Sequence, residues 1–121
     1  MRPLTRFAMP SLLPGLILAT LLLWVSTAQA QTPGPATFEV IARDGRLLPQ
    51  RLEVPAGVKL KLILKNESRM PVEFENLDLR IEKVLATGAS SFVVIHPLRP
   101  GRYHFVDEFN PEGSGMLLIA R

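Results

Sequence analysis

The sequence predicts an all-β domain, a sandwich of seven to eight short strands, and two observations carry that expectation. Beyond Ala30, apolar and polar residues alternate with period two through one segment after another, the pattern of a strand with one face buried. Turn-forming groups, Asp44-Gly45, Pro55-Ala56-Gly57, Thr87-Gly88 and Pro100-Gly101, interrupt the alternation at the short intervals of an antiparallel sandwich.

The segments follow in order. Thr37–Ala42 puts Phe38 and Val40 on one face before Asp44-Gly45 breaks it, and Arg51–Val54 comes next. Val58–Lys65 is the clearest: Val58, Leu60, Leu62 and Leu64 share one face, Lys59, Lys61 and Lys65 the other. Val72–Glu75 and Leu79–Val84 also alternate, with room for a short helical turn around Glu75 to Leu79. Ser91–Ile95, Tyr103–Phe105 and Met116–Ile119 complete the set. All are expected to pair antiparallel.

The first thirty residues read differently. Arg2 and Arg6 form a positive start, Leu12 to Val25 is mostly apolar, and Ala28-Gln29-Ala30 is a small-x-small site. That is the layout of a secretory signal peptide over residues 1–30, cleaved after Ala30. The apolar run is short for a membrane span of roughly 20 residues, so a membrane enters only if the segment stays uncleaved as an anchor. Residues 31–36 form a Pro/Gly-rich flexible lead, and the domain proper is expected over 37–121.

Removing that segment changes the charge balance. Of fourteen Lys and Arg, Arg2 and Arg6 are lost, so twelve remain against all eleven Asp and Glu. With no basic run interleaved with aromatics, nucleic acid is rejected as a partner. There is no cysteine. That excludes a disulfide frame, a thiolate metal site and thiol redox chemistry, and leaves stability to the apolar core or a bound partner.

Strand alternation aims the candidate side chains. Tyr103, Phe105 and Asp107 share a face, so Asp107 points inward at the rim of the core. A carboxylate there needs solvent, hydrogen bonds or a cation: it is either a metal ligand or a turn cap on loop N–H groups. Glu73 and Glu75 flank Phe74 on the opposite face. They either reach towards the loop of Asp107 or are solvated acids paired with Lys61 or Arg80, worth under about 1 kcal/mol if exposed. Met116 and Met70 offer thioethers suited to copper(I), or simply fill apolar space at the end of the sandwich. His96 and His104 lack HxH or HxxxH spacing and read as isolated surface imidazoles. Asp107, Glu108 and Glu112, with Glu73, Glu75, Asp78 and Glu82, make seven of the eleven acids. If their loops meet, they form an acidic end that attracts cations or a basic docking surface.

One family carries these motifs together. Pro55-Ala56-Gly57-Val58-Lys59-Leu60, Lys65-Asn66, Val72-Glu73-Phe74-Glu75, Leu79-Arg80-Ile81-Glu82-Lys83, Pro97 through Phe105 and Asp107-Glu108-Phe109-Asn110-Pro111 resemble the periplasmic cupredoxin-like proteins of bacterial iron-uptake systems. They are similar to the cupredoxin domain of the EfeO-type component, over nearly all of residues 37–120. The resemblance implies a Greek-key cupredoxin-like β-sandwich, exported to the periplasm. It further implies work beside an inner-membrane iron permease and a second periplasmic metal-binding protein, handling copper or iron.

Blue-copper proteins place Cys, His and Met in the loop that follows such a strand; here Asp107 holds the Cys position, Asn110 the His position, and only Met116 remains. Their first His follows Asn-x4-Pro directly. Asn66 and Pro71 keep that spacing, but the next residue is Val72. No blue-copper centre is therefore expected, and the candidate ligands of a copper or iron ion are Asp107, Glu108, Glu73, Glu75 and Met116, mostly oxygens suited to harder ions. No enzyme is expected: GxSxG, Ser/His/Asp spacing, a multicopper His pattern and helical di-iron carboxylates are all missing. The functional expectation is an accessory of metal uptake, iron foremost. The alternative is a metal-free β-sandwich that docks a partner of the uptake complex through its acidic end.

Overall fold

Within residues 32–121, alternation resolves into nine strands: β1 (Ala36–Arg43), β2 (Arg46–Leu48), β3 (Arg51–Val54), β4 (Leu60–Asn66), β5 (Val72–Asn76), β6 (Ile81–Leu85), β7 (Ser90–Ile95), β8 (Gly101–Asp107) and β9 (Met116–Ala120). The structure, a computed structural model, describes residues 2–6, 8–11, 25–32 and 34–121. Most of the apolar run read as the core of a signal peptide, residues 12–24, lies outside the described residues. The chain divides into two units, Met1–Gln31 and Thr32–Arg121. The described residues of the first contain no helix or strand, and no described helix is long and apolar enough to cross a membrane.

The strands form two sheets, ordered β2-β1-β4-β7 and β3-β9-β8-β5-β6. They are mixed, not antiparallel throughout: β1 runs parallel to β4, and β3 parallel to β9. The reason lies in the crossovers. After β2 the chain passes into the second sheet as β3 and returns as β4, so β4 arrives beside β1 in the same direction. The strand absent from the sequence reading is β2. Asp44 (φ 49) and Gly45 (φ 72) close a two-residue turn with both residues in the left-handed region, and Arg43 pairs with Arg46 across it. Nor is there a helical turn after Glu75. The Asn76 side chain captures the backbone instead: the Leu79 N–H donates to Asn76 Oδ1 (2.9 Å) and the Arg80 N–H to the Leu77 carbonyl (3.0 Å).

The inward residues pack one core. Val40, Leu47, Leu60, Leu62 and Leu64 from the first sheet meet Val72, Phe74, Phe105, Met116 and Leu118 from the second. At its centre Phe74 and Phe105 stack with ring centroids 4.7 Å apart and planes inclined by 13°, an arrangement that adds to the burial of both rings. Asn76 also donates from Nδ2 to the His104 carbonyl (2.8 Å), which fastens β5 to β8 where few residues pair directly.

Candidate functional site

Two places gather the residues singled out above, and they lie on different faces. The first is the loop end of the sandwich, where a cleft of ≈ 830 Å³ is lined by residues 42–46 and 67–72 together with Asp107, Phe109 and Asn110. Asp107 ends β8 opposite Phe74, and its Oδ1 accepts hydrogen bonds from the backbone N–H of Glu73 (3.0 Å) and of Phe109 (3.1 Å). It thus does the work of a turn cap, and its contact with Glu73 is to the backbone, not the carboxylate. Asn110 is exposed; its N–H donates to the Asp107 carbonyl (3.0 Å) and its carbonyl accepts from Gly113 (2.9 Å). Val72, next after Pro71, is buried in the core. Arg43, Arg46 and Arg69 line the cleft beside Asp44, Glu67 and Asp107, and Arg43 is ion-paired to Glu67. As many cations as acids stand there, so this end is not the acidic end that the loops promised.

Met116 takes no part in the cleft. It is 1% exposed, lies opposite Phe105 in the β8–β9 ladder and packs in the core. Met116→Leu conserves volume and apolarity, and is expected to cost less than about 1.5 kcal/mol. A metal titration of that variant should superimpose on that of the parent; a clear loss of affinity would mean that the thioether is a ligand.

The second place is the outer face of the five-stranded sheet. Glu73 and Glu75, two apart on β5, share that face. In the β5–β6 ladder Glu75 lies directly opposite Glu82, and one carboxylate oxygen from each of Glu73, Glu75 and Glu82 lies within 4.8 Å of the others. Glu75 is only 5% exposed. Burial pushes its carboxyl above the ordinary range, and the nearby Glu108, Glu73 and Glu82 carboxylates push it further. Lys61 does not relieve it, sitting instead over the Phe92 ring at 4.4 Å. The ion pairs among the described residues, Arg43–Glu67, Arg51–Glu53, Lys65–Glu39 and Arg121–Glu53, leave this face out as well.

A carboxyl raised in the folded state favours folding while it is protonated. That contribution is complete below the usual value of 4.5 and is lost as pH rises through the raised one. Glu75→Gln is therefore expected to melt above the parent near pH 8, in chelator, with the difference closing towards about pH 4. Melting curves of both proteins across that range check this, and a pH-independent difference would contradict it.

Of the sequence candidates, then, Glu73, Glu75 and Glu108 are brought together, while Asp107 stands at the loop end and Met116 in the core. Glu82 was seen only as one of many acids. The hairpin register makes it a partner: Asn76 pairs with Ile81, so Glu75 and Glu82 fall opposite one another one step further from the turn. His96 is exposed and belongs to neither place; His104 is exposed on the outer face of β8 with Val106, on the same sheet face as the carboxylates but outside their cluster.

Two packed mixed sheets, a Phe pair at the centre and a cleft among the β1–β2, β4–β5 and β8–β9 loops define a small β-sandwich with loops gathered at one end. The chain belongs to the family described as Cupredoxin-like domain, whose sequence model matches residues 15–119. An uncharacterized protein of Rickettsia prowazekii (strain Madrid E) is 29% identical over 82 residues, 67% of this chain. The chain spans just under two thirds, 66%, of that relative's length. Among solved structures it is similar to a copper binding protein in the apo form (TM-score 0.61, 19% identity, 76% of this chain and 93% of the other). It is also similar to the metal binding domain of the Cu(I) exporting P-type ATPase of Streptococcus pneumoniae D39 (TM-score 0.60, 14% identity, 76% and 91%). At these identities the likeness establishes the fold.

Proposed function

We propose that this protein is a non-enzymatic metal-handling accessory of the bacterial envelope. It works in the periplasm in iron uptake, beside an inner-membrane permease and a second metal-binding protein. One observation carries the reading: a cupredoxin-like frame without cysteine gathers carboxylates, a donor set suited to exchangeable binding of hard ions. Copper-protein neighbours of the same fold support a metal-related role, and the family resemblance of the Glu-Phe-Glu and Asp-Glu-Phe segments supports iron.

Where the frame's ligands would stand, Val72 is buried and Asp107 caps a loop, so this chain offers no place for blue-copper electron transfer. The same observation favours a second reading, a metal-free sandwich that docks a partner, with the exposed Met70 and Phe109 flanking the cleft. Uptake of radiolabelled iron(II) by iron-starved cells should slow when the gene is deleted and recover on complementation. Unchanged uptake would overturn the iron role, whichever residues bind metal.

A further inference from the structure

We propose that the outer face of the five-stranded sheet holds one divalent cation, ligated by carboxylate oxygens of Glu73, Glu75 and Glu82 with Glu108 close by. The inference deepens the metal-handling reading and rests on it for its biological use. Acids directly opposite in a ladder repel and weaken the pairing, yet Glu75 and Glu82 occupy such a position. Among the described residues no ion pair answers the repulsion, although Arg80 lies beside Glu82. Glu75 is 95% removed from solvent. Among the described residues its carboxylate has neither a hydrogen-bond donor nor a cation, and the only charges that shift it are Glu108, Glu73 and Glu82. The residue is buried, its carboxylate oxygens keep only a narrow opening to solvent, and crowding acids in so poorly solvated a place is costly; a cation among these oxygens supplies the missing charge.

The spacing suits an ion. Oxygens bound to one cation at roughly 2.1–2.5 Å stand about 3.0–3.5 Å apart when adjacent and about 4.2–5.0 Å when opposite, and the three carboxylates already bring oxygens within 4.8 Å of one another. With no imidazole or thiolate in the set, the cation is a hard one, manganese(II) or iron(II) in preference to copper(I). Asp107 is not a ligand of this site. It binds the Glu73 N–H from the core side, whereas the Glu73 carboxylate belongs to the opposite face.

The test is a manganese(II) titration of the purified protein read by EPR, with the variants Glu75→Gln, Glu82→Gln and Asp107→Asn. The parent should bind one equivalent, each Gln variant should lose affinity by about tenfold or more, and Asp107→Asn should bind like the parent. Both Gln substitutions remove repulsion while keeping shape, so loss of binding without loss of the circular dichroism signal counts as loss of a ligand. Binding that persists in both Gln variants but fails in Asp107→Asn overturns this site, moves it to the loop end and leaves the metal-handling reading standing. Binding indifferent to all three variants also overturns it. No saturable binding by the parent overturns the site, and the metal-handling reading is then decided by the iron-uptake experiment.

Discussion

Replacing Asn66 with alanine is expected to cost about 3–4 kcal/mol and to lower the melting temperature by roughly 15–25 °C. The side chain is 2% exposed at the end of β4, and it is the junction of two loops. Its Nδ2 donates to the carbonyls of Met70 (2.8 Å), Leu85 (3.2 Å) and Ala86 (3.1 Å), and its Oδ1 accepts from the N–H (3.0 Å) and Oγ (2.6 Å) of Ser68. Alanine leaves the Leu85 and Ala86 carbonyls and the Ser68 N–H without this partner, while the Ser68 hydroxyl and the Met70 carbonyl keep each other (2.8 Å), and a buried polar group so orphaned costs more than the bond was worth. Asn66→Asp is expected to be no milder. It keeps the acceptor for Ser68 but turns an oxygen towards three carbonyls. Thermal and urea unfolding followed by circular dichroism check both. A loss under about 1 kcal/mol for Asn66→Ala would mean that water replaces the side chain and that the loops hold without it.

That asparagine was visible in the sequence through its spacing from Pro71, though as the frame of a missing ligand and not as a structural node. The contrast is general for this chain. Side-chain direction was legible because it depends only on neighbours along one strand: Leu60, Leu62 and Leu64 turn inward, and so do Tyr103, Phe105 and Asp107. What depends on a second strand was not legible. Period two says nothing about which strand lies alongside or in which direction, so the parallel β1–β4 and β3–β9 pairs went unseen. β2 hid because three residues are too few to show alternation, although Asp44-Gly45 between Ala42 and Leu47 is itself a hairpin signal. The carboxylates divide the same way. That Glu73 and Glu75 face outward could be read directly, whereas the burial of Glu75 and its meeting with Glu82 arise from the register of β5 on β6. Asp107 aimed inward as expected; its two N–H partners come from chain on either side of it, at Glu73 and Phe109.

Phe105→Ala is expected to be as damaging as Asn66→Ala, at about 3–5 kcal/mol, yet to leave the carboxylate face in working order. Phe105 is fully buried, stacked on Phe74 and opposite Met116. Its removal empties the centre of the core, and the surroundings can collapse only in part. One side is held by backbone: a Cβ added to Gly115 would strike the Phe105 carbonyl, so β8 and the start of β9 already touch there with no slack. Phe105→Leu, which fills part of the space, should recover more than half of the loss. The cavity lies beneath Asp107, two residues further along the same face of β8, so the loop end should loosen first. Glu75 faces the other way, beside Val106 and Glu82. Manganese(II) should therefore still bind to folded Phe105→Ala near the parental affinity. If affinity instead falls in step with stability, and recovers in Phe105→Leu, the cation sits at the loop end above the core and not on the outer sheet.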